Sequence, residues 1–209
     1  RVKIMNPKIK TIIFDVGGVL IDIDFKKSID ALRKAGFKDI DKKIHEISSD
    51  DHFTQYRLGL ISTEEFRNFI RKEIDKDLTD EEIDSMWNQM LIGIPHEKLD
   101  LLIELHKKYT IYALSNTNEL HWQCSCNMFN YQGLNINNFF DNIFLSFKMH
   151  KDKPDSDIFE EVIKETKLIP NESLFIDDSE TNCNAASSLG IHAYHYHIGE
   201  DLNIIKTLL

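Results

Sequence analysis

Four short stretches bring together residue types that can do chemistry in concert. In Lys10–Asp24 (KTIIFDVGGVLIDID) an apolar run, Ile12-Ile13-Phe14, ends abruptly in one carboxylate, Asp15, followed by Gly17 and Gly18. Desolvating a charge at the mouth of a buried strand is unfavourable unless something pairs with it, so Asp15 is a candidate reacting group. The glycines let the backbone turn and come close to whatever Asp15 acts on. A second run, Tyr109–Leu114, ends in Ser115 and Asn116, where a hydroxyl, an amide and loop N–H groups form a small anion site. Lys153 precedes Pro154, which restrains the backbone that carries a possible phosphate-neutralising ammonium. A fourth run, Leu174–Ile176, ends in Asp177 and Asp178. Two adjacent acids raise each other's pKa unless compensated, and a divalent cation is the simplest compensation. Mg2+ favours one or two carboxylates plus water and phosphate oxygens, with Asp15 and a glycine-turn carbonyl as the opposing ligands.

The elements that must position these groups alternate. Strands are expected at Ile12–Phe14, Tyr109–Leu114, Asn142–Leu145, Leu174–Ile176 and Ile191–Tyr196, with amphipathic helical patterns between them. That alternation predicts an α/β fold, a doubly wound parallel sheet covered on both faces, with ligands at the carboxyl ends of its strands. Between Phe25 and Gly93 the periodicity is helical throughout. Phe25, Ile29 and Leu32 share a face that ends at Gly36, and Ile40, Ile44 and Ile47 repeat the pattern. Ser62-x-x-Glu65 and Thr79-x-x-Glu82 read as capping boxes. The expected division is a core of residues 1–22 and 94–209 and an all-helical cap of residues 23–93.

Lys and Arg number 25 against 35 Asp and Glu, a net charge of −10 that argues against a nucleic-acid or anionic-membrane surface. No apolar stretch approaches a bilayer span, and the N-terminal residues have no secretion-signal pattern. Three cysteines, Cys124, Cys126 and Cys183, fit a reducing, cytoplasmic setting. Cys124, Cys126 and His121 lack a zinc-ribbon spacing and read as ordinary helix residues. His195 and His197 alternate on the last strand, where edge exposure accounts for them.

The stretches FDVGGVL, LSNTN, KPD and FIDDSETN, in this order, resemble the four motifs of the haloacid dehalogenase-like (HAD) hydrolase superfamily over nearly the whole chain. A finer likeness is to the YihX-like bacterial sugar-phosphate phosphatases, which act on α-D-glucose-1-phosphate. It rests on the glycine two residues after Asp15, the IDID tail, Gly59–Phe66 and Leu114–His121. The resemblance implies a HAD-like Rossmannoid core with a helical cap of the C1 type. It implies a Mg2+-dependent phosphatase of a small phosphorylated metabolite, a monomer or homodimer, in which Asp15 forms an aspartyl-phosphate. Asp15, the Gly17 carbonyl and Asp178 would hold Mg2+, with Asp177 and Asn182 acting through water. Ser115, Asn116, Lys153 and the Gly17-Gly18 turn would hold the phosphoryl group.

Gly17 departs from the phosphatase pattern of this superfamily, which has a second aspartate there as general acid and base. Such help is worth roughly 10²–10⁴-fold in rate. Three readings follow: a leaving group that needs little protonation, as in an anomeric phosphate; a substitute carboxylate, Asp22 or Asp24; or a slow or non-catalytic phosphometabolite-binding protein. The same glycine fits a 2-haloacid dehalogenase, but such enzymes need no metal and lack the Asp177-Asp178 pair. Asp24, His52, Gln55, Tyr56 and Arg57 are the cap residues expected near substrate, with Tyr56 more at home in packing and Arg57 in solvent.

Overall fold

The computed structural model describes residues 8–45 and 51–209. Strand β1 (Thr11–Phe14) is buried at every position. A two-residue strand, β2 (Asp22–Ile23), leads into helices α1 (Phe25–Ala35), α2 (Ile40–His45), α3 (His52–Arg57), α4 (Thr63–Ile74) and α5 (Asp80–Asn88), then β3 (Leu91–Gly93). The alternating part follows: α6 (His96–His106), β4 (Thr110–Ser115), α7 (Glu119–Met128), β5 (Asn142–Leu145), α8 (Ser146–Met149), α9 (Ser156–Thr166), β6 (Ser173–Asp177), α10 (Glu180–Ser188) and β7 (His192–His195). A 3₁₀ segment, Leu202–Leu208, follows β7.

The sheet order is β5-β4-β1-β6-β7, with every pairing parallel. The chain moves from β1 outward through β4 to β5, then returns to build β6 and β7 on the other side. The reversal leaves a crevice beyond the carboxyl end of β1, where such sheets bind ligands. Register brings the expected residues to it: Phe14 is level with Ala113 and Ile176, so Asp15 and Asp177 emerge at one height and Ser115 one residue further along β4. Alternation along β1 serves both faces of the sheet. Ile12 and Phe14 enter one apolar cluster with Leu102, Phe129 and Ile176, whereas Ile13 joins Leu114, Phe159 and Phe175 in another.

Helices α1–α5 enclose a third cluster, built on Leu32, Phe37, Tyr56, Phe66, Ile70 and Ile83. Both capping boxes form, at Ser62–Glu65 and Thr79–Glu82, and Gly36 caps α1. Ile47 lies outside the described residues. One expectation is corrected: the segment to Gly93 is not wholly helical. Leu91–Gly93 pairs antiparallel with Asp22–Ile23, and the expected core–cap boundaries fall within this ribbon. Two or three residues are too few to display a period of two.

Candidate active site

The loop after β1 is tightly wound. Leu20 and Ile21 both donate to the Val16 carbonyl, at 2.9 and 2.8 Å, and Gly18 N–H donates to Ile21 O at 2.9 Å. Gly18 has φ +81°, and a Cβ there would collide with the Asp178 carboxylate. Glycine therefore lets the β1 and β6 loops close on each other. A Cβ at Gly17 would lie 2.6 Å from Ile23 Cδ1 of β2, so an apolar side chain stands over the position at which the superfamily's phosphatases carry their second aspartate.

Asp15 accepts from its neighbour's backbone, Val16 N–H, at 2.8 Å, and pairs through the same oxygen with Lys153 Nζ at 2.9 Å. Lys153 also donates to Asp177 Oδ2 at 2.7 Å and to the Leu114 carbonyl at 2.9 Å, so its ammonium has three acceptors. Its side chain is 1% exposed and that of Asp177 0%. Burial opposes the Lys153 charge, but Asp15 and Asp177 outweigh it and its pKa is raised. Burial pushes the Asp15 carboxyl up to about 7, with Lys153 working against the shift and Asp177 and Asp178 adding to it. Asp178, half-buried, is raised by burial and by Asp177.

Each expected residue has a definite place. Asp177 Oδ1 accepts from Ser179 N–H at 2.8 Å and Asn182 Nδ2 at 2.9 Å, which leaves Asp178 as the more exposed of the pair. Ser115 is buried at the end of β4. Asn116, expected on the phosphoryl group, has its amide engaged elsewhere: it accepts from Lys153 N–H at 2.9 Å and donates to Lys153 O at 2.8 Å, clamping the lysine's backbone. Both suggested substitute acids are engaged by other partners. Asp24 caps α1 by accepting from Lys26 N–H, and Asp22 pairs with Lys98 at 2.9 Å.

The cap residues divide. Tyr56 is buried, and its hydroxyl accepts from Leu120 N–H at 3.2 Å. His52 stacks on Phe69, ring centroids 4.2 Å apart. Arg57 is not a free solvated side chain; its Nε donates to Asp152 Oδ2 at 2.8 Å. Sequence reasoning missed Asp152, Ser146 and Ile23, which act across elements far apart in the chain. It also set aside His195, whose Nε2 donates to the Asp178 carbonyl at 3.1 Å. The strand register, which sets Asp177 opposite His195, was the signal for that contact.

Among the described residues, Asp15, Asp177 and Asp178 are the one group of three or more His, Cys, Asp or Glu side chains near enough to share a cation, with ligand atoms within 4.8 Å of one another. Three carboxylates face one ammonium here, and burial raises the pKa of two of them, Asp15 to about 7. That excess of negative charge fits an oxygen-preferring divalent cation. His121, Cys124 and Cys126 form no such group; His121 is instead buried against Trp87.

Known proteins similar to this chain share its architecture. A relative named D-ribitol-5-phosphate phosphatase, from Bacteroides thetaiotaomicron, is 34% identical over 195 residues, covering 92% of this chain and 94% of its own. A HAD family enzyme of the same organism, solved with magnesium and inorganic phosphate, superposes with a TM-score of 0.90 at 41% identity over 94% of this chain and 98% of its own. A HAD-like family hydrolase of Porphyromonas gingivalis gives 0.88 at 34% identity over 96% and 98%. The family model of the haloacid dehalogenase-like hydrolases matches residues 9–190, a span that takes in Asp15, Ser115, Lys153 and both acids after β6. By sequence, fold and the residues gathered at its switch point, the chain belongs to the haloacid dehalogenase-like hydrolase family.

Proposed function

We propose that the protein is a Mg2+-dependent phosphatase of a small phosphorylated sugar or sugar alcohol, with Asp15 as the nucleophile. The observation that carries this reading is the Asp15–Lys153–Asp177 chain of contacts beside Asp178 at the switch point. Mg2+ would be held by Asp15, the Gly17 carbonyl and Asp178, with Asp177 and Asn182 behind them, and bound there it offsets charge on the phosphoryl oxygens. Asp15 attacks phosphorus, the bond from phosphorus to the ester oxygen breaks, and the sugar leaves as an alkoxide that takes its proton from water, since Gly17 supplies none. A second water then attacks the aspartyl-phosphate, releasing inorganic phosphate and regenerating Asp15. The Lys153 ammonium stabilises charge on the transferring group, and Ser115 donates a hydrogen bond to it. Asn116 acts on Lys153 rather than on substrate.

The relative's name supports a polyol or sugar phosphate; the likeness to glucose-1-phosphate phosphatases supports a hexose phosphate. Both are small, hydroxyl-rich monoesters, and helices α1–α5, read as a cap domain, would choose between them. The same reading takes the protein as cytoplasmic, on its three free thiols, and as a monomer or homodimer. A 2-haloacid dehalogenase would also use Asp15, but it has no task for the acidic pair after β6. Phosphate release is to be measured with Mg2+ on a panel containing ribitol-5-phosphate and glucose-1-phosphate, beside Asp15→Asn. Turnover lost in the variant is expected. No release above the variant overturns the enzyme reading and leaves a phosphometabolite-binding protein; metal-independent chloride release from 2-haloacids makes it a dehalogenase.

A further inference from the structure

The segment that carries Lys153 is tied to the cap by four contacts converging on Arg57, Leu58 and Gly59. The Arg57 guanidinium pairs with Asp152 at 2.8 Å, one residue before Lys153. Arg57 O lies 2.8 Å from Ser146 Oγ, and Leu58 O accepts from His150 Nδ1 at 2.8 Å. Gly59, at φ +66°, sits so close to Phe147 O that a Cβ there would collide with it. The core side of this seam, residues 146–152, ends at the ammonium that touches Asp15.

Ser146 is fully buried, and its hydroxyl makes the seam a three-way junction. It accepts from Thr117 N–H at 2.9 Å and lies 2.8 Å from both Arg57 O and Thr117 O. One proton serves two carbonyls, one on the cap and one on the loop that continues from Ser115 and Asn116. The position of the cap is thereby felt at both the Lys153 loop and the Ser115 loop.

We infer that Arg57 and Asp152 are positioning residues: a cap-to-core charge latch that holds the Lys153 loop in register with Asp15, Arg57 acting through Asp152 and not on substrate. The contacts are direct, and the pair is better sheltered than an ordinary surface ion pair, Asp152 being 16% exposed and Arg57 36%. A single, partly exposed ion pair of this kind contributes little to stability by itself. Its effect lies in where Lys153 stands when the cap is seated, and a misplacement of about 1 Å there is enough to slow catalysis by as much as roughly 10²-fold.

The inference rests on the phosphatase reading only for its kinetic arm. Arg57→Ala, Asp152→Asn, the double variant and the charge swap Arg57→Asp/Asp152→Arg are compared with the full-length parent. Hydrogen exchange of residues 57–60 and 146–153 needs no substrate. Both segments are expected to exchange faster in each single variant and to regain protection in the swap. Hydrolysis of p-nitrophenyl phosphate with Mg2+ is expected to show kcat lowered about fivefold in each single variant, no further loss in the double, and recovery in the swap. Unchanged exchange in the single variants, or a swap no better than they are in exchange, overturns the latch. So does a raised KM at unchanged kcat in Arg57→Ala, which would make Arg57 a substrate contact. Exchange that follows the expected pattern in a protein whose parent releases no phosphate leaves the latch standing and removes the phosphatase.

Discussion

Asp15 has two requirements that pull against each other. As the proposed nucleophile and metal ligand it must be ionised, yet burial and two neighbouring acids hold its proton to about pH 7 in the absence of a cation. Lys153 alone does not overcome that, so the cation and the proton compete for the same carboxylate. Mg2+ affinity should accordingly weaken by roughly tenfold per pH unit as pH falls below about 7, and level off above it. Calorimetric titration of the protein with Mg2+ from pH 8 to pH 5.5 tests this, and a flat profile would remove the proton from Asp15. Asp15 and Asp177 were legible in the sequence because each is the polar residue that ends an apolar strand, and Lys153 because it stands before Pro154. Asn116 was only half legible: its place beside Ser115 could be read, but its grip on Lys153, 37 residues away, depends on how β4 and the 146–153 segment meet.

Between elements, polar contacts join helices α3–α5 to α7, and one of them is made by a buried histidine. His121 Nε2 faces the Trp87 carbonyl of α5 at 3.1 Å, so Nε2 bears the proton and Nδ1 accepts from Asn118 Nδ2 at 3.0 Å. The imidazole also stacks on Trp87 at 4.8 Å between centroids. Burial depresses its pKa to about 4, with the Trp87 carbonyl acting weakly the other way. Above the unfolded value of about 6.5 both states are neutral and the contribution to stability is fully present. As pH falls toward 4 the unfolded chain takes up a proton that the folded one refuses, and stability is lost. Between roughly pH 7 and pH 5 the loss from this one group is about 2 kcal/mol. Urea unfolding should show His121→Gln losing about that much less than the parent over the same interval; equal losses would mean that His121 is charged in the fold. The sequence placed His121 on a helix near Cys124 and Cys126, but not against Trp87, because helix periodicity says which face is apolar and not what covers it. The β2–β3 ribbon and the four-residue α8 escaped for a different reason: neither spans enough residues for a period to show.

At the scale of the whole molecule, two apolar clusters around the sheet and a third inside the helical layer meet across a seam with one apolar anchor, Leu120 of α7 buried in the third cluster, and a set of polar contacts: Arg57–Asp152, Leu58–His150, Ser146, and Thr63 donating to Glu119. Apolar burial favours each body by itself, whereas beyond Leu120 and the Trp87–His121 stack the seam depends on directional contacts that are lost over a small displacement. Opening the seam should therefore take less free energy than unfolding either body, which suits the proposed reading of helices α1–α5 as a cap. Gly59 lies at the tightest point. Gly59→Ala imposes about 1–2 kcal/mol for the left-handed backbone and, in addition, drives a methyl group into the Phe147 carbonyl. Gly133→Ala imposes the same kind of backbone cost, at φ +79°, with nothing within 4 Å of the new methyl group. Both variants should melt at lower temperature than the parent. Only Gly59→Ala should weaken the binding of inorganic phosphate in the presence of Mg2+, because only there does the cap have to move away from the loops that hold Ser115 and Lys153. Titration calorimetry on the two variants and the parent reads the difference directly; phosphate affinity that falls equally in both would place the effect in global stability and not in the seam.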